Sequence, residues 1–413
     1  MLNHVARLLL AISVVMPFTG SNARAEEDFR IGLPIELSGR FVAFGAQVKK
    51  GAETAVEVWR SVRGEKVAGR TITLIIHDVQ SNTVQTVSAM NELINSDRAH
   101  VLVGPGASNI GAAAIPPWKK SENRPIWLVP GVSTTVAEKE VGKDPYYFHN
   151  FPWAYHYHAT NAEALKQTIG SNKKVAIVYS DGAYGRAHVD HARQYLKAAG
   201  FDIVGEELIR EGANDFTPAL LRVRAKRPEV LYALVQTDDA VLLTKQVYST
   251  NLNVPYLVGT FQAVTPEWRA AVGDLQNCWT GVTTYLPGMV YAADAREPKL
   301  FPAAKEWESK WRAKYNKEPE YMEVGAYIST MEVLLAAEKS NSTDRDKLAA
   351  VLARDSYATM LGNSRFEPSE VALHQAFGTM VAFQQQKVGS EYKSVVFYPP
   401  AVAEGKPQPC PAR

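Results

Sequence analysis

Two short segments, residues 101–108 and 126–133, constrain the fold of this sequence more than any other feature. Each is an apolar run that ends in Gly and Pro and then a small hydroxyl residue, which is typical of a buried parallel strand followed by a tight loop. In open α/β sheets, ligands bind outside the carboxyl ends of the strands. Gly and Ser also occur in ordinary βα turns, but two such loops after consecutive strands favour a binding edge. There, Ser108 and Ser133 could donate hydrogen bonds to a carboxylate.

The rest of the chain repeats the strand–helix pattern in two blocks. Strands alternate with helices from residue 29 to 129, and after an aromatic, extended segment at 147–152 the alternation resumes as far as residue 259. This indicates βαβ units and parallel sheets. A mostly helical stretch and two antiparallel strands are expected after that. We therefore predict an α/β protein of two lobes, each a mostly parallel sheet flanked by helices, joined by extended crossover segments. The expected division is 26–149 with 286–364 for lobe 1 and 150–285 with 365–413 for lobe 2.

The N-terminus has the pattern of a secretory signal peptide. His4 and Arg7 precede an apolar run from Leu8 to Phe18, and Ala23-Arg24-Ala25 supplies a cleavage site. The run is too short to span a bilayer as a stable helix. We expect residues 1–25 to be removed, and no lipid anchor, because no Cys follows the run.

The net charge limits the classes of binding partner, and the cysteines bear on the redox state of the compartment. The chain has 45 Lys and Arg against 43 Asp and Glu, and two of the arginines lie in the leader, so the remainder is formally neutral. Such a chain has no general attraction for nucleic acid or anionic membranes. Cys278 and Cys410 would meet an oxidising compartment, where an even number suggests one disulfide. Two unpaired buried thiols are the alternative.

Recognisable catalytic and metal-binding motifs are absent from the sequence. It contains no nucleophile elbow, no P-loop, no H-E-x-x-H and no G-x-G-x-x-G. His188 and His191 share a predicted helix face, and His156 and His158 lie near another helix start, but neither pair has an obvious third ligand. We therefore expect solvent-facing histidines, no metal, no cofactor and no enzymatic activity.

Several short motifs, in their order and spacing, resemble the periplasmic binding proteins of branched-chain amino-acid type ABC transporters. They include Ile31-Gly32-Leu33-Pro34, Leu37-Ser38-Gly39, Val103-Gly104-Pro105, Tyr179-Ser180-Asp181, Tyr184-Gly185 and Asp215-Phe216-Thr217-Pro218. The resemblance extends from Phe29 to about Pro400. It implies a type I clamshell in the periplasm, a monomer whose lobes close on a small ligand without catalysis. Membrane permease subunits of an ABC transporter would be its partners.

The resemblance also implies where the ligand would bind. In that family a hydroxyl residue and backbone amides after two neighbouring strands hold the ligand carboxylate, an aromatic residue of the first loop packs on the ligand, and a tyrosine of the second lobe closes over it. The matching positions and further pocket candidates are Phe44, Ser108, Gly131, Val132, Ser133, Tyr184, Gln236, Phe261, Tyr285 and Tyr321. We expect Ser108 and Ser133 to face each other across the gap between the lobes.

One position departs from the family pattern. Amino-acid binders usually present an acid just after the strand that ends near Gly259, where it pairs with the ligand ammonium. Here Phe261 stands in that loop, and no acid follows before Glu267. A buried, unpaired ammonium costs several kcal/mol, whereas a ring face returns roughly 1–2 kcal/mol. Asp238 and Asp239 could substitute, but a helix start is expected there, so capping is the favoured role for them.

Three functions remain open from the sequence. The first is a transport binding protein for a carboxylated, aromatic or apolar molecule. The second keeps that class but makes the ligand a branched-chain or other hydrophobic amino acid. The third is a periplasmic ligand-sensing subunit. No transmembrane helix or signalling domain follows the clamshell in the sequence, which favours transport.

Overall fold

The structure is a computed structural model that describes residues 28–376 and 380–411. The predicted signal peptide lies outside the described residues. The first lobe is built on a six-stranded sheet. Its strands are β1 (Asp28–Ile35), β2 (Lys66–Val67), β3 (Arg70–Asp78), β4 (Val101–Val103), β5 (Ile126–Val129) and β6 (Tyr147–His149). They lie in the order β2-β3-β1-β4-β5-β6, and all neighbours are parallel except β2 and β3.

Helices flank this sheet in the manner of βαβ units. They are α1 (Val42–Arg63), α2 (Thr83–Asn91), α3 (Ser108–Lys120) and α4 (Thr135–Val141). A short π-helical turn, Glu92–Ser96, continues α2. The sequence pattern predicted the first three helices, whereas α4 was not predicted.

The second lobe starts with another parallel array. Its first strands are β7 (Lys174–Ser180), β8 (Asp202–Ile209), β9 (Val230–Leu234), β10 (Tyr256–Val258) and β11 (Trp279–Thr283). The intervening helices are α5 (Ala154–Ile169), α6 (Ala183–Ala198), α7 (Thr217–Ala225), α8 (Thr237–Ser249) and α9 (Pro266–Val272).

After β11 the chain crosses back to the first lobe. It forms α10 (Ala304–Tyr315), α11 (Tyr321–Ser340), α12 (Arg345–Arg354) and a small hairpin of β12 (Ser356–Thr359) and β13 (Gly362–Arg365). It then adds the antiparallel strands β14 (Val381–Val388) and β15 (Glu391–Tyr398) to the second sheet, whose order is β15-β14-β11-β10-β9-β7-β8. The predicted fold class, two mostly parallel α/β lobes joined by crossovers, is confirmed.

Helix α11 is the central helix of the first lobe. Every residue from Tyr321 to Ala337 is buried, as expected for a helix that is apolar on most sides. It packs along α1 at very short range. A Cβ atom on Gly51 would lie 2.3 Å from the carbonyl oxygen of Glu323, so only glycine allows this approach. The close packing fixes the N-terminus of α11, and with it Tyr321, against the cleft.

The boundary expected at residue 365 lies too early in the chain. The segment before β14 still belongs beside β6 of the first lobe, because the amide of His149 donates to the carbonyl of His374 at 3.0 Å and the amide of Ala376 donates to the carbonyl of His149 at 2.7 Å. The physical reason is that β6 is an edge strand, and this segment satisfies its open backbone groups. The chain returns to the second lobe only with β14.

Cys278 and Cys410 form a disulfide with an S–S distance of 2.01 Å. It ties the C-terminal tail to the second lobe, where the amide of Cys410 also donates to the carbonyl of Pro255 at 2.7 Å. Gln384 on β14 adds side-chain hydrogen bonds to the backbone of Gln408. Over residues 28–376 and 380–411, no helix combines the length and apolar character needed to cross a bilayer.

Candidate functional site

The loops that the sequence singled out meet the second lobe. Ser108 begins α3 and Ser133 follows β5, and both are almost fully buried. Since β4 and β5 are neighbours in one sheet, the two serines lie on the same lobe. The expectation that they face each other across the gap between the lobes is therefore wrong. Instead, the hydroxyl oxygen of Ser133 lies 2.8 Å from Nε2 of His188 on α6. This hydrogen bond joins the two lobes.

The backbone of these loops is tightly constrained. A Cβ atom on Gly131 would lie 2.6 Å from the carbonyl oxygen of Gly106, so the two loops touch through their glycines. Val132 has φ of +64°, a strained value for a β-branched residue. Its amide donates to the carbonyl of Gly106 at 3.1 Å, so it is not free to hold a ligand, contrary to the expectation. His149 Nε2 lies 3.1 and 2.9 Å from the carbonyl oxygens of Gly131 and Val132.

A buried carboxylate fastens the first of the two loops from behind. Glu36, which follows β1, accepts hydrogen bonds from the amides of Gly106 at 3.2 Å and Ala107 at 2.9 Å. It is fully buried, and this burial raises the pKa of its carboxyl group to about 7. The sequence did not mark Glu36 as a functional residue. Because Glu36 occupies these two amides, they are not available to a ligand. The hydroxyl of Ser108, the next residue, remains as a candidate ligand-binding group of this loop.

Four of the candidate aromatic residues come together between the lobes. Phe44 of α1 and Tyr321 of α11 belong to the first lobe, and Tyr184 of α6 and Phe261 to the second. The ring of Phe261 is central: its centroid lies 5.7 Å from that of Phe44, 5.8 Å from that of Tyr184 and 6.0 Å from that of Tyr321. The hydroxyl of Tyr184 is hydrogen bonded to the Oγ1 of Thr260. We call these four residues the cleft cluster.

Two further aromatic residues, missed in the sequence, extend the cleft cluster. Phe151 stacks on Tyr321 at a centroid distance of 5.8 Å, and Tyr157 lies 6.2 Å from Phe151 and 5.5 Å from the ring of His188. Their only sequence signal was the aromatic segment around residues 147–152. The hydroxyl of Tyr321 is buried without a hydrogen-bond partner among the described residues, and burial raises its pKa. A buried polar atom of this kind is available to a ligand.

The remaining two candidate site residues are Gln236 and Tyr285. Gln236, at the N-cap of α8, is buried, and its side-chain oxygen has no partner in the described part of the chain. Tyr285 makes no ring contact with the cleft cluster in the described part of the chain, but it belongs to the same buried hydrophobic cluster, and its hydroxyl has no hydrogen-bond partner there. Burial and the nearby carboxylate of Glu308 on α10 raise its pKa.

An ion-pair network crosses the cleft at its edge. Arg40 of the first lobe contacts Glu211 and Asp239 of the second, each at 3.1 Å. Asn109 reinforces the link, since its side chain donates to Glu211 at 3.0 Å and accepts from the amide of Ala183 at 3.1 Å. The sequence predicted that Asp239 caps α8, but its carboxylate pairs with Arg40 instead.

A further correction concerns the histidines. His158 and His188 are buried rather than solvent-facing, and His156 and His191 are partly buried. The Nε2 atom of His158 lies 3.0 Å from Nδ1 of His188. Burial lowers the pKa of His158 to about 3 and that of His188 well below its usual value. Within residues 28–376 and 380–411, no group of three or more His, Cys, Asp or Glu is arranged to hold a metal ion.

A cavity of about 270 Å³ opens on the outer side of Phe44 and Phe261. Apolar residues line it, among them Val241 and Trp268, with Arg40, Asp238 and Glu267 at its polar parts.

The protein has two α/β lobes, and aromatic rings and hydroxyls are buried where the lobes meet. This arrangement is typical of proteins that enclose a small ligand between two lobes. The comparison with protein families agrees. Residues 28–390 match the model of the periplasmic binding proteins, and the chain belongs to that family, as a type I member of the branched-chain amino-acid transporter type.

Individual relatives are named for, or were solved with, different ligands. A Leu/Ile/Val-binding protein homologue of Brucella melitensis is 27% identical, over 84% of this chain and 89% of its own length. A branched-chain amino-acid binding protein of Streptococcus pneumoniae, solved with isoleucine, superposes with a TM-score of 0.75 at 21% identity, covering 89% of this chain and 99% of its own. A solute-binding protein of R. palustris, solved with benzoate, has a TM-score of 0.73 at 18% identity, covering 90% and 97%.

Proposed function

We propose that this protein binds an apolar or aromatic carboxylate between its lobes as the extracytoplasmic component of an ABC importer. The observation that carries the proposal is the position of Phe261. It lies at the centre of rings from both lobes, where an amino-acid binder would need a carboxylate. Aromatic pairs contribute roughly 0.5–1.5 kcal/mol each beyond area burial, so a ring-bearing or apolar ligand suits the site.

The acids near the cleft support the same conclusion. Asp239 and Glu211 are both engaged by Arg40, and Glu36 is engaged by two backbone amides. A ligand ammonium could pair with one of these three acids only by breaking its present arrangement. Otherwise it would have to reach Asp238 or Glu267 at the polar parts of the cavity beside Phe261, because an unpaired buried charge costs several kcal/mol. A carboxylate has no such difficulty, because Ser108 and Ser133 offer hydroxyls and the N-terminus of α3 favours negative charge.

The alternative ligand is a branched-chain amino acid. The observation that favours it is the identity of 27% to a Leu/Ile/Val-binding protein homologue over most of both chains. A sensing subunit is a further alternative within the same fold. The proposed transport role includes secretion through the predicted signal peptide, a periplasmic location, action as a monomer and delivery to membrane permease subunits, with no catalytic step.

A binding screen separates the two ligand classes. Thermal shift and calorimetry with benzoate and with isoleucine should show tighter binding of benzoate. At about 100 times its dissociation constant a ligand adds about 2.7 kcal/mol to the free energy of unfolding, which is easily measured. Micromolar binding of isoleucine without binding of benzoate would contradict the proposal.

A substitution at the central ring sharpens the test. In Phe261→Glu, a carboxylate is placed where the family usually has one, so we expect weaker binding of benzoate and stronger binding of isoleucine. The matched control is Val84→Glu, which adds the same charge at a site 72% exposed on α2 and should change neither affinity. If Phe261→Glu weakened both ligands equally, the ring would not determine the ligand class.

A further inference from the structure

A continuous chain of buried hydrogen bonds runs from the cleft into the core of the second lobe. It starts with Ser133 and His188 at 2.8 Å, continues from His188 to His158 at 3.0 Å, and reaches the hydroxyl of Tyr232 on β9 at 2.8 Å. Asn161 of α5 ends it, because its side-chain amide donates to that hydroxyl at 3.0 Å and to the carbonyl of Gly259 at 3.0 Å. All five side chains are almost fully buried.

The protons of this chain have one consistent order when both histidines are neutral. The side-chain amide of Asn161 donates its two protons to the hydroxyl of Tyr232 and to the carbonyl of Gly259. The hydroxyl of Tyr232 therefore already accepts one hydrogen bond. Among the described residues, Nδ1 of His158 is the acceptor within hydrogen-bond distance of that hydroxyl, so the Tyr232 proton goes there, and the His158 proton is left on Nε2. The same step repeats at His188, whose Nε2 proton points at Ser133. The hydroxyl oxygen of Ser133 is thereby an acceptor towards the second lobe.

An additional proton disturbs this order. If either histidine carried protons on both nitrogens, two donors would face each other at one link of the chain, or the proton of Tyr232 would lose its acceptor. No carboxylate in the described part of the chain hydrogen bonds to either ring. The titratable groups around the two rings are Tyr157 from α5, Tyr184 and His191 from α6, and Tyr232 from β9, while Lys139 and Asp190 act on His191.

We infer that His188 and His158 are positioning residues that turn the hydroxyl proton of Ser133 towards the cleft and permit lobe closure only when both rings are neutral. The inference rests on the proposed function, and it makes the group recognised at Ser133 a hydrogen-bond acceptor such as a carboxylate oxygen. When the lobes open, His188 loses its hydrogen bond to Ser133, and the first lobe no longer shields its ring from solvent. Its pKa is then less depressed than in the closed state, so closure at acidic pH has to release a proton.

The sign of the pH effect follows from this difference. The closed state holds His188 neutral, with its pKa well below the usual value, whereas the open state binds a proton more readily. Affinity is therefore fully present at neutral and higher pH, and it is lost as the pH falls through the pKa of His188 in the open state. We expect the dissociation constant for benzoate to rise roughly tenfold between about pH 8 and pH 5.5, where benzoate stays ionised.

The decisive variant is Tyr232→Phe, which removes the proton that orders the chain while keeping the ring. Without it, Nδ1 of His158 can carry a proton, so we expect about threefold to tenfold weaker benzoate binding at neutral pH and a pH profile shifted upwards. The matched control is Tyr327→Phe, which removes another buried phenol hydroxyl, one that donates to the carbonyl of Leu300 in the first lobe. It should leave affinity and pH profile unchanged.

Nitrogen NMR of ¹⁵N-histidine-labelled protein tests the proton order directly. In the ligand-bound protein at neutral pH, both rings should be the Nε2–H tautomer, with assignments from His158→Gln and His188→Gln. A proton on Nδ1 of either ring, or an affinity that is equal at both pH values and equal in Tyr232→Phe, would overturn the inference. If benzoate fails to bind but isoleucine binds, the proposed ligand class is wrong and isoleucine, whose carboxylate would use the same hydroxyl, serves as the probe for the same measurements.

Discussion

The two lobes contribute to the cleft by different means. Beside the rings of Phe44 and Tyr321, the two loops of the first lobe present a backbone surface, in which Gly106 and Gly131 touch and Glu36 and His149 fasten the loops from behind. The second lobe presents side chains that begin helices or follow strands and that are connected to one another, such as Tyr184 with Thr260. One face therefore depends on close backbone packing, and the other on a hydrogen-bonded network of side chains.

This difference has a consequence for how each face responds to substitution. A backbone surface is intolerant of added atoms, since neither loop can move without the other. A network of side chains tolerates the loss of one hydroxyl, because the rings still pack, but it is sensitive to charge and protonation. The first lobe should thus determine the stability of the site, and the second lobe its selectivity and its pH dependence.

The largest effect is expected at the glycine contact of the first lobe. In Gly131→Ala the new methyl group would lie 2.6 Å from the carbonyl oxygen of Gly106, so the loops must separate, and we expect a loss of roughly 2–3 kcal/mol in the free energy of unfolding with loss of ligand binding. Urea denaturation measures the first and calorimetry the second. The control is Gly205→Ala, whose methyl group would meet only the flexible side chain of Lys226 at 3.4 Å. Equal stability of the two variants would show that the loop contact is loose.

The same contrast explains what the sequence could and could not predict. The loops of the first lobe are local features, so the Gly, Pro and Ser pattern after residues 103 and 129 marked them, and the fold class followed from the strand–helix alternation. The links between lobes are long-range. Ser133 and His188 are 55 residues apart, and Arg40 and Asp239 are 199 apart. No local pattern reports such a pairing, and histidine is intermediate in burial, so its type alone does not tell whether it lies inside or outside.

A smaller effect is expected at the ion pairs that join the two faces. Arg40→Met leaves Asp239, with a side chain 4% exposed, without its counter-charge in the closed state, where burial already raises its pKa. The guanidinium is 25% exposed, so screening reduces the loss to about 1.5–3 kcal/mol of binding free energy. Calorimetry measures the affinity and small-angle scattering the degree of closure.

Its control breaks an ion pair that lies within one helix. Lys310→Met removes the exposed pair between Lys310 and Glu306 on α10 and should leave affinity unchanged. In the double variant Arg40→Met with Asp239→Asn, part of the affinity should return, because the uncompensated charge is gone. If Arg40→Met bound ligand as tightly as the wild type, the network would not hold the lobes closed.

The smallest effect is expected on removing the hydroxyl of Tyr184, where the second lobe's contribution can be divided between ring and hydroxyl. Tyr184→Phe removes only the hydrogen bond to Thr260, while the ring keeps its contacts with Phe261 and with His188, whose centroid is 4.0 Å away. We expect a loss of about 1 kcal/mol in binding free energy, or roughly fivefold in affinity. Tyr184→Ala, which removes the ring, should cost about 3 kcal/mol or more. Titration calorimetry with benzoate separates the two contributions. A Tyr184→Phe variant as weak as Tyr184→Ala would mean that the hydroxyl bonds the ligand directly, and the second lobe would then recognise polar groups as the first lobe does.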